Sequence, residues 1–337
     1  MITVGIVGCG PWGLNYLRIF QELAGSTVAQ VCDQNPDRLA SVARRVPAVN
    51  ATTNLQTLLN NPGIHAIIVA TPAATHYRVT RACLLAGKHV LVEKPFAVTA
   101  ENCQELITLA RKNQRVLMVG HTFLYNAGIR KMKECIADRD FGQIYYLNAV
   151  RTNLGPIRQD VNAIWDLAPH DVSIFNYLLG SVPRRVSAVG RKVLGNGLED
   201  VGFITLTYAG GLVGHIHVSW VEPNKVRKVV VVGSHKRIVF DDLNALERIK
   251  IFERGVSPVE QDVSSFGEFQ LLVRDGDIIS PKIPAAEPLK KQCAHFLDCI
   301  ATGQIPMTDG QNGLDVVKTM LAISKSIQSE GAPVAVH

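Results

Sequence analysis

A chain of 337 residues, 47% hydrophobic and 19% charged, can bury a large core and has the length of two domains of about 150 residues each, which excludes a disordered or fibrous protein. Its formal charge of +6 is spread along the sequence, without a basic face interleaved with aromatics; this argues against nucleic acid as a partner and leaves room for an anionic small ligand. Seven cysteines, an odd number with no CxxC pair, argue against a disulfide framework and structural zinc, and no apolar run approaches a membrane span. The opening "MITVGIVGCG" is a strand pattern without a basic leader, so a cytoplasmic protein with no membrane partner and no metal is expected.

Short apolar runs then alternate with helix-period stretches. Strands are expected at "ITVGIVG" (2–8), "TVAQVCD" (27–33), "AIIVAT" (66–71), "HVLVEK" (89–94) and "RVLMVG" (115–120), with helices such as "PWGLNYLRIFQEL" and "TAENCQELITLARKN" between them. Strands apolar on both faces and joined by helices describe a doubly wound parallel sheet of the α/β class. After residue 121 a helix near "NAGIRKMKECIA" leads into period-two runs at 143–153, 184–193, 201–209, 212–221 and 226–234, the pattern of a large, mostly antiparallel sheet in an α+β domain. Helices return at "EPLKKQCAHFLDCIAT" and "GLDVVKTMLAISKSIQ".

"GIVGCGPWG" sets Gly8, Gly10 and Gly13 in a GxGxxG pattern directly after the first strand, with Pro11 and Trp12 opening a helix. The three glycines serve a tight turn, close approach of backbone to a pyrophosphate, and close helix-to-strand packing. Asp33 ends the second strand, where the fingerprint places a ribose-binding carboxylate about 20 residues on. A carboxylate there would repel a 2'-phosphate, and Gln34 and Asn35 offer no offsetting cation, so NAD is expected over NADP; Arg38, one turn on, is placed near the adenine. Residues 1–120 are therefore expected to form a Rossmann NAD-binding domain. Residues 121–337 are expected to form a substrate-binding and oligomerisation domain, whose C-terminal helices have the option of packing back on the first.

"LVEKPFAV" ends an apolar strand in Glu93, Lys94 and Pro95. A lysine at the carboxyl end of a parallel strand sits where open α/β sheets bind ligands, and partial desolvation would let it exchange protons near neutrality. The combination of "GIVGCGPWG", "ATPAATHYRVTRACLLAGKHVLVEKPFA" and "WDLAPHD" resembles the Gfo/Idh/MocA oxidoreductases, the family of glucose-fructose oxidoreductase and inositol dehydrogenase, over essentially the whole chain. The resemblance implies hydride transfer between nicotinamide and a secondary alcohol or ketone of a sugar or cyclitol, with Lys94 in the active site and a cis Lys94–Pro95 bond. Glu93 is expected at the nicotinamide ribose, with pairing to a neighbouring base as the alternative, and Thr71, Pro72 and His76 as a wall on the nicotinamide side.

In "AIWDLAPHDVSIFNYLLG" Pro169 fits a first helical turn, and Asp166 and His170, four residues apart, share a face if the helix begins early enough. The family pattern resembles DxGxH; Ala168 stands here where glycine is common. His170 is the first choice for the base that takes the substrate proton and Lys94 for the polarising cation, the reverse being the second choice, with Asp166 orienting the substrate or the imidazole. Candidate substrate contacts are His121, Tyr125, Arg151, Asn153, Arg158, Asn162, Lys225 and Arg227. The cations among them, and the resemblance of "RTNLGPIRQDVNAIWDLAPHD" and "WVEPNKVRK" to family members acting on nucleotide-linked sugars, lead to a nucleotide sugar such as a UDP-hexosamine or hexosaminuronate oxidised at C3. A free polyol or inositol is the alternative within the class, and a non-catalytic NAD-binding sensor or scaffold the alternative outside it. The sheet in residues 143–274 carries Val201, Phe203 and Val213 on its other face, more apolar than a solvated face should be, so a homodimer or homotetramer through that sheet is expected.

Overall fold

Six short parallel strands build the first sheet: β1 (Ile2–Val7), β2 (Ser26–Cys32), β3 (Asn50–Thr52), β4 (Ala66–Val69), β5 (His89–Val92) and β6 (Leu117–Val119). The computed structural model describes residues 1–158, 161–195, 197–258 and 271–337. Strand order is β3-β2-β1-β4-β5-β6, so the winding reverses between β1 and β4, the place where doubly wound sheets leave a crevice at their strand ends. Helices α1 (Pro11–Glu22), α2 (Pro36–Arg45), α3 (Leu55–Leu59), α4 (His76–Leu85) and α5 (Ala100–Lys112) connect the strands. Pro11 opens α1, where its missing N–H has no partner to lose, and Tyr16, Leu17, Ile19 and Phe20 turn inward at helical spacing. The expected strands are present; the polar β3 edge was not anticipated.

The second sheet follows α6 (Ala127–Ala137) and consists mainly of β7 (Ile144–Leu154), β8 (Arg185–Arg191), β9 (Val201–Thr207), β10 (Val213–Ser219), β11 (Val221–Gly233), β12 (Arg237–Asp241) and β13 (Ile249–Phe252). A separate hairpin pairs β14 (Gly255–Pro258) with β15 (Leu271–Arg274), and β16 (Ile278–Ile279) returns to the main sheet beside β13. The expected span 143–274 includes residues 259–270, which lie outside the described residues. Pairing is antiparallel except between β7 and β10, which run parallel. Helix α7 (Ala163–Leu179) covers one face. A Cβ on Gly202 would come within 2.6 Å of Ile164 and one on Gly214 within 2.7 Å of Phe175, so these glycines let the helix lie against the strands. The opposite face keeps Val189, Phe203, Val213 and Tyr146 exposed.

Helices α8 (Pro288–Thr302) and α9 (Gly310–Gln328) and strand β17 (Val334–Ala335), paired with β8, complete the chain. The chain divides into two units, Met1–Tyr125 with Ala286–Leu321, and Asn126–Ala285 with Ala322–His337. In the first, Leu289, Cys293, Phe296 and Leu297 of α8 share a core cluster with Tyr16, Phe20, Met118 and Tyr125. Leu314 and Val317 of α9 join the cluster of Phe96, Val92 and Val119. All seven cysteines are free thiols, and among the described residues no helix is long and apolar enough to cross a membrane.

Candidate active site

The dinucleotide loop is built by steric demands that only glycine meets. Gly8 has φ +96°, and a Cβ there would lie 2.4 Å from the Ala70 carbonyl oxygen; a Cβ on Gly13 would lie 1.8 Å from that of Gly8. Gly10 differs, because a Cβ there would meet nothing within 4 Å. Its backbone faces open space at the start of α1, which has no side-chain cap and no acid in its first turn. The positive end of the helix and its first N–H groups are thus left for an anion, which fits a pyrophosphate. Trp12 is half exposed beside it.

Asp33, just past β2, is buried and held from two sides: Cys9 N–H donates to Oδ2 (2.7 Å) and Asn35 N–H to Oδ1 (2.8 Å). Arg38 reaches Oδ2 at 3.5 Å with its side chain half exposed. The carboxylate is therefore oriented in advance, with acceptor capacity left for ribose hydroxyls. Burial, and then the Asp33 charge, pushes the Cys9 thiol up to about 12, so the cysteine in the loop remains an inert thiol. These features fit NAD: Gly8, Gly10, Pro11, Trp12 and Gly13 would cradle the pyrophosphate and Asp33 the ribose.

In the loop after β4 the Thr75 hydroxyl lies 2.8 Å from both Thr71 Oγ1 and the Pro72 carbonyl oxygen, so that it donates to one of them. His76, at the start of α4, is buried, with Nδ1 2.7 Å from the Pro95 carbonyl oxygen and Nε2 2.8 Å from that of Thr71. This histidine clamps the Thr71 loop to the Lys94–Pro95 turn, a structural task rather than an open wall for nicotinamide. The Lys94–Pro95 bond is cis, and Lys94 is partly buried.

Glu93 is 7% exposed. Its Oε1 accepts from the Tyr16 hydroxyl (2.7 Å) and its Oε2 from Lys94 N–H (3.1 Å). Behind Tyr16, Gln292 Nε2 donates to the phenol oxygen (3.3 Å) and Thr122 Oγ1 donates to Gln292 Oε1 (2.6 Å). Burial raises the Glu93 carboxyl above its usual range, opposed by the Tyr16 hydrogen bond and the Lys94 charge. Burial, then the charge of Glu93, puts the Tyr16 phenol well above its ordinary value. His121, after β6, is buried with neither ring nitrogen hydrogen-bonded, and burial together with Lys94 lowers it to about 3. Tyr125 is core: its ring is buried and its hydroxyl lies 3.4 Å from Thr308 Oγ1.

In the second unit α7 begins at Ala163, because Asn162 Oδ1 accepts from Trp165 N–H (2.8 Å) while Asn162 Nδ2 donates to Glu199 (2.7 Å). Pro169 therefore lies inside the helix and not in its first turn, the earlier cap having won. The early start puts Asp166 and His170 on one face. Asp166 Oδ1 lies 3.1 Å from Arg158 Nη1. Arg151 is not presented to a ligand: it is buried in a two-pronged pair with Asp171 Oδ2 (2.9 Å) and Oδ1 (2.8 Å). Arg227, opposite Arg151 in register, pairs with Asp242 at 3.7 Å. Asn153 donates to the Gly155 carbonyl, and Lys225 is exposed where β11 shifts register between Val221 and Val226. Among the described residues no group of three His, Cys, Asp or Glu could hold a metal.

Residues 2–121 match the model of an oxidoreductase family with an NAD-binding Rossmann fold, and residues 129–239 that of the GFO/IDH/MocA C-terminal domain. The chain belongs to the GFO/IDH/MocA oxidoreductases. It is 27% identical over 331 residues to UDP-N-acetylglucosamine 3-dehydrogenase of Acidithiobacillus ferrooxidans, covering 97% of this chain and 98% of that one. A crystal structure of that enzyme matches with TM-score 0.83 at 26% identity over 97% and 98% of the two chains. Inositol 2-dehydrogenase 2 of Paenarthrobacter aurescens is 26% identical over 98% of this chain and 97% of its own. The WlbA dehydrogenase of Bordetella pertussis, solved with NADH and UDP-GlcNAcA, shares the fold at TM-score 0.82 and 20% identity, over 100% and 98% of the two chains.

As a GFO/IDH/MocA oxidoreductase the protein is an NAD-dependent dehydrogenase acting on a CH–OH group. Its structure brings Gly8, Gly10, Gly13 and Asp33 together, and separately Asp166, His170, Arg158 and Asn162 at the start of α7. Sequence reasoning missed Tyr16, Gln292 and Thr122 beneath Glu93, and Asp171 beneath Arg151. Asp171 stands next to His170 in "PHD", and an acid so placed was a usable signal; Tyr16 and Gln292 are far apart in sequence and carried none.

Proposed function

We propose that the enzyme oxidises a secondary alcohol of a nucleotide-linked sugar, with C3 of a UDP-hexosamine or hexosaminuronate as the substrate class. The observation that carries this reading is the end-to-end similarity to a dehydrogenase named for UDP-N-acetylglucosamine. It is joined by a lysine at the carboxyl end of β5 and an Asp-His pair on one face of α7. A free polyol is the second reading, favoured by the inositol dehydrogenase of nearly equal identity and by the engagement of Arg151 and Arg227 in ion pairs, which leaves fewer cations for a pyrophosphate.

The chemistry asks for a proton acceptor and a polarising cation at the substrate hydroxyl while bound NAD supplies the hydride acceptor. His170 is assigned the first role and Lys94 the second, and Arg158 holds Asp166 in the orientation from which it meets substrate or imidazole. The reading places the enzyme in the cytoplasm as a homodimer or homotetramer. A panel of UDP-, dTDP- and GDP-sugars beside myo-inositol, followed by nicotinamide absorbance, separates the readings. Turnover with inositol alone overturns the first, and none with any sugar revives a non-catalytic NAD sensor. Lys94→Ala should bind NAD nearly as well as wild type yet lose about a hundredfold or more in turnover, since one well-placed donor is worth about 3–4 kcal/mol.

A further inference from the structure

The chain Thr122, Gln292, Tyr16 and Glu93 threads polar groups from the half-buried Thr122 into an apolar core. Gln292 and Tyr16 are fully buried, and Cys293, beside Gln292 on α8, belongs to the surrounding hydrophobic cluster. Each link has a defined direction: Thr122 donates to the Gln292 carbonyl, the Gln292 amide donates to the Tyr16 oxygen, and Tyr16 donates to Glu93 Oε1. All donors therefore point toward the carboxyl, an order that suits a negative charge at its end. The other carboxyl oxygen takes the N–H of Lys94, so the chain ends on the backbone of the lysine that the proposed function places at the substrate. Gly120 makes room for this: a Cβ there would lie 3.2 Å from Glu93 Cα and 3.3 Å from its carboxyl carbon.

We propose that Tyr16, backed by Gln292 and Thr122, is a positioning residue that holds the Glu93 carboxyl in the orientation from which Oε2 accepts the Lys94 N–H, and so sets the backbone from which the Lys94 side chain reaches the substrate. Glu93 then serves the lysine and not the nicotinamide ribose. The titratable groups facing Glu93 are Tyr16 from α1, Cys293 from α8 and Lys94 itself; the phenol and the thiol are both held neutral by burial, which leaves Lys94 as the charged neighbour. His121, buried and acted on by the Lys94 charge, is also neutral. Both Glu93 oxygens are held, Oε1 by the Tyr16 hydroxyl and Oε2 by Lys94 N–H. The tyrosine donor opposes the upward pull of burial on the carboxyl, and its loss frees Oε1 to turn away.

This inference rests on Lys94 acting at the substrate, and its test keeps the two apart. The values of kcat and of KM for the sugar are measured for wild type, Tyr16→Phe and Glu93→Gln, with NAD affinity measured by nicotinamide fluorescence. Both variants should lower kcat by about tenfold with KM for the sugar within about threefold, as loss of one orienting hydrogen bond does, while NAD affinity stays within about twofold. Combining them should add little to either alone. Tyr16→Phe removes a single oxygen; if it fails to fold, Glu93→Gln reads the same loss. An unchanged kcat in a folded variant overturns the proposal, and so does weaker NAD binding by Glu93→Gln with kcat unchanged, which would make Glu93 a cofactor ligand. Full turnover by Lys94→Ala would instead overturn the catalytic reading on which the proposal stands.

Discussion

Arg151→Met should destabilise the protein while leaving recognition of the sugar nearly unchanged. Arg151 and Asp171 side chains are 5% and 1% exposed, and two hydrogen bonds of 2.9 and 2.8 Å join them. Each charge-assisted bond contributes about 1.5–3 kcal/mol, and removing one partner strands a carboxylate in the core, so the loss should be about 3–5 kcal/mol. Asp171→Asn keeps one acceptor oxygen for the guanidinium and should lose less. The pair Arg151→Met with Asp171→Leu should recover most of the stability, because a buried ion pair gains little over a well-packed apolar replacement. Urea unfolding gives the change from the shift in midpoint, and steady-state kinetics gives KM for the sugar. A Met variant that loses less than about 1 kcal/mol but raises KM tenfold or more would refute the reasoning and return Arg151 to the ligand side.

Gly13→Ala should fail to fold or lose most NAD binding, whereas Gly10→Ala should keep wild-type stability and lose only affinity for NAD, since its Cβ enters open space; thermal unfolding with and without NAD distinguishes them. Asp33→Ala with Gln34→Arg should move preference toward NADP by about 1 kcal/mol or more, and a wild-type enzyme that already prefers NADP would contradict the reading of Asp33. Phe203→Lys with Val189→Glu, on neighbouring strands of the exposed sheet face, should dissociate the oligomer proposed for this enzyme, and a wild-type monomer at micromolar concentration by light scattering would remove that proposal. His121, held near 3, stays neutral in the folded state while the unfolded state takes up a proton below about 6.5. Stability should therefore fall with pH below that value, by about 2 kcal/mol at pH 5 from this group, and His121→Phe should flatten the decline in urea titrations.

Much of the fold was legible because its signals are local. The five expected strands of the first sheet carry continuous apolar runs, and α1 announces itself with Pro11 and inward residues at helical spacing. β3 escaped notice because "NAT" at a sheet edge has neither apolar run nor alternation. The glycine loop and Asp33 were readable because three steric demands and one carboxylate fall at fixed spacings. The partners of Arg151, Arg227 and Glu93 were not, since a cation destined for a buried acid looks the same in sequence as one destined for a phosphate. Pro169 misled for a related reason: proline marks a first turn only when no better cap precedes it, and Asn162 does.

The first unit is assembled from two separated stretches of chain, and this orders events during synthesis. When residue 125 leaves the ribosome all six strands of the parallel sheet exist, yet Leu289, Cys293, Phe296 and Leu297, which fill one of its core clusters, do not. At about 5–20 residues per second the nascent sheet waits on the order of ten seconds or more for α8, with the apolar surfaces of Tyr16, Phe20 and Met118 lacking their final cover. The intervening unit is made and can fold in that interval. The nucleotide-binding unit, begun before the intervening one, is thus finished after most of it has been made, and it is in this window that a nascent-chain chaperone would find its client.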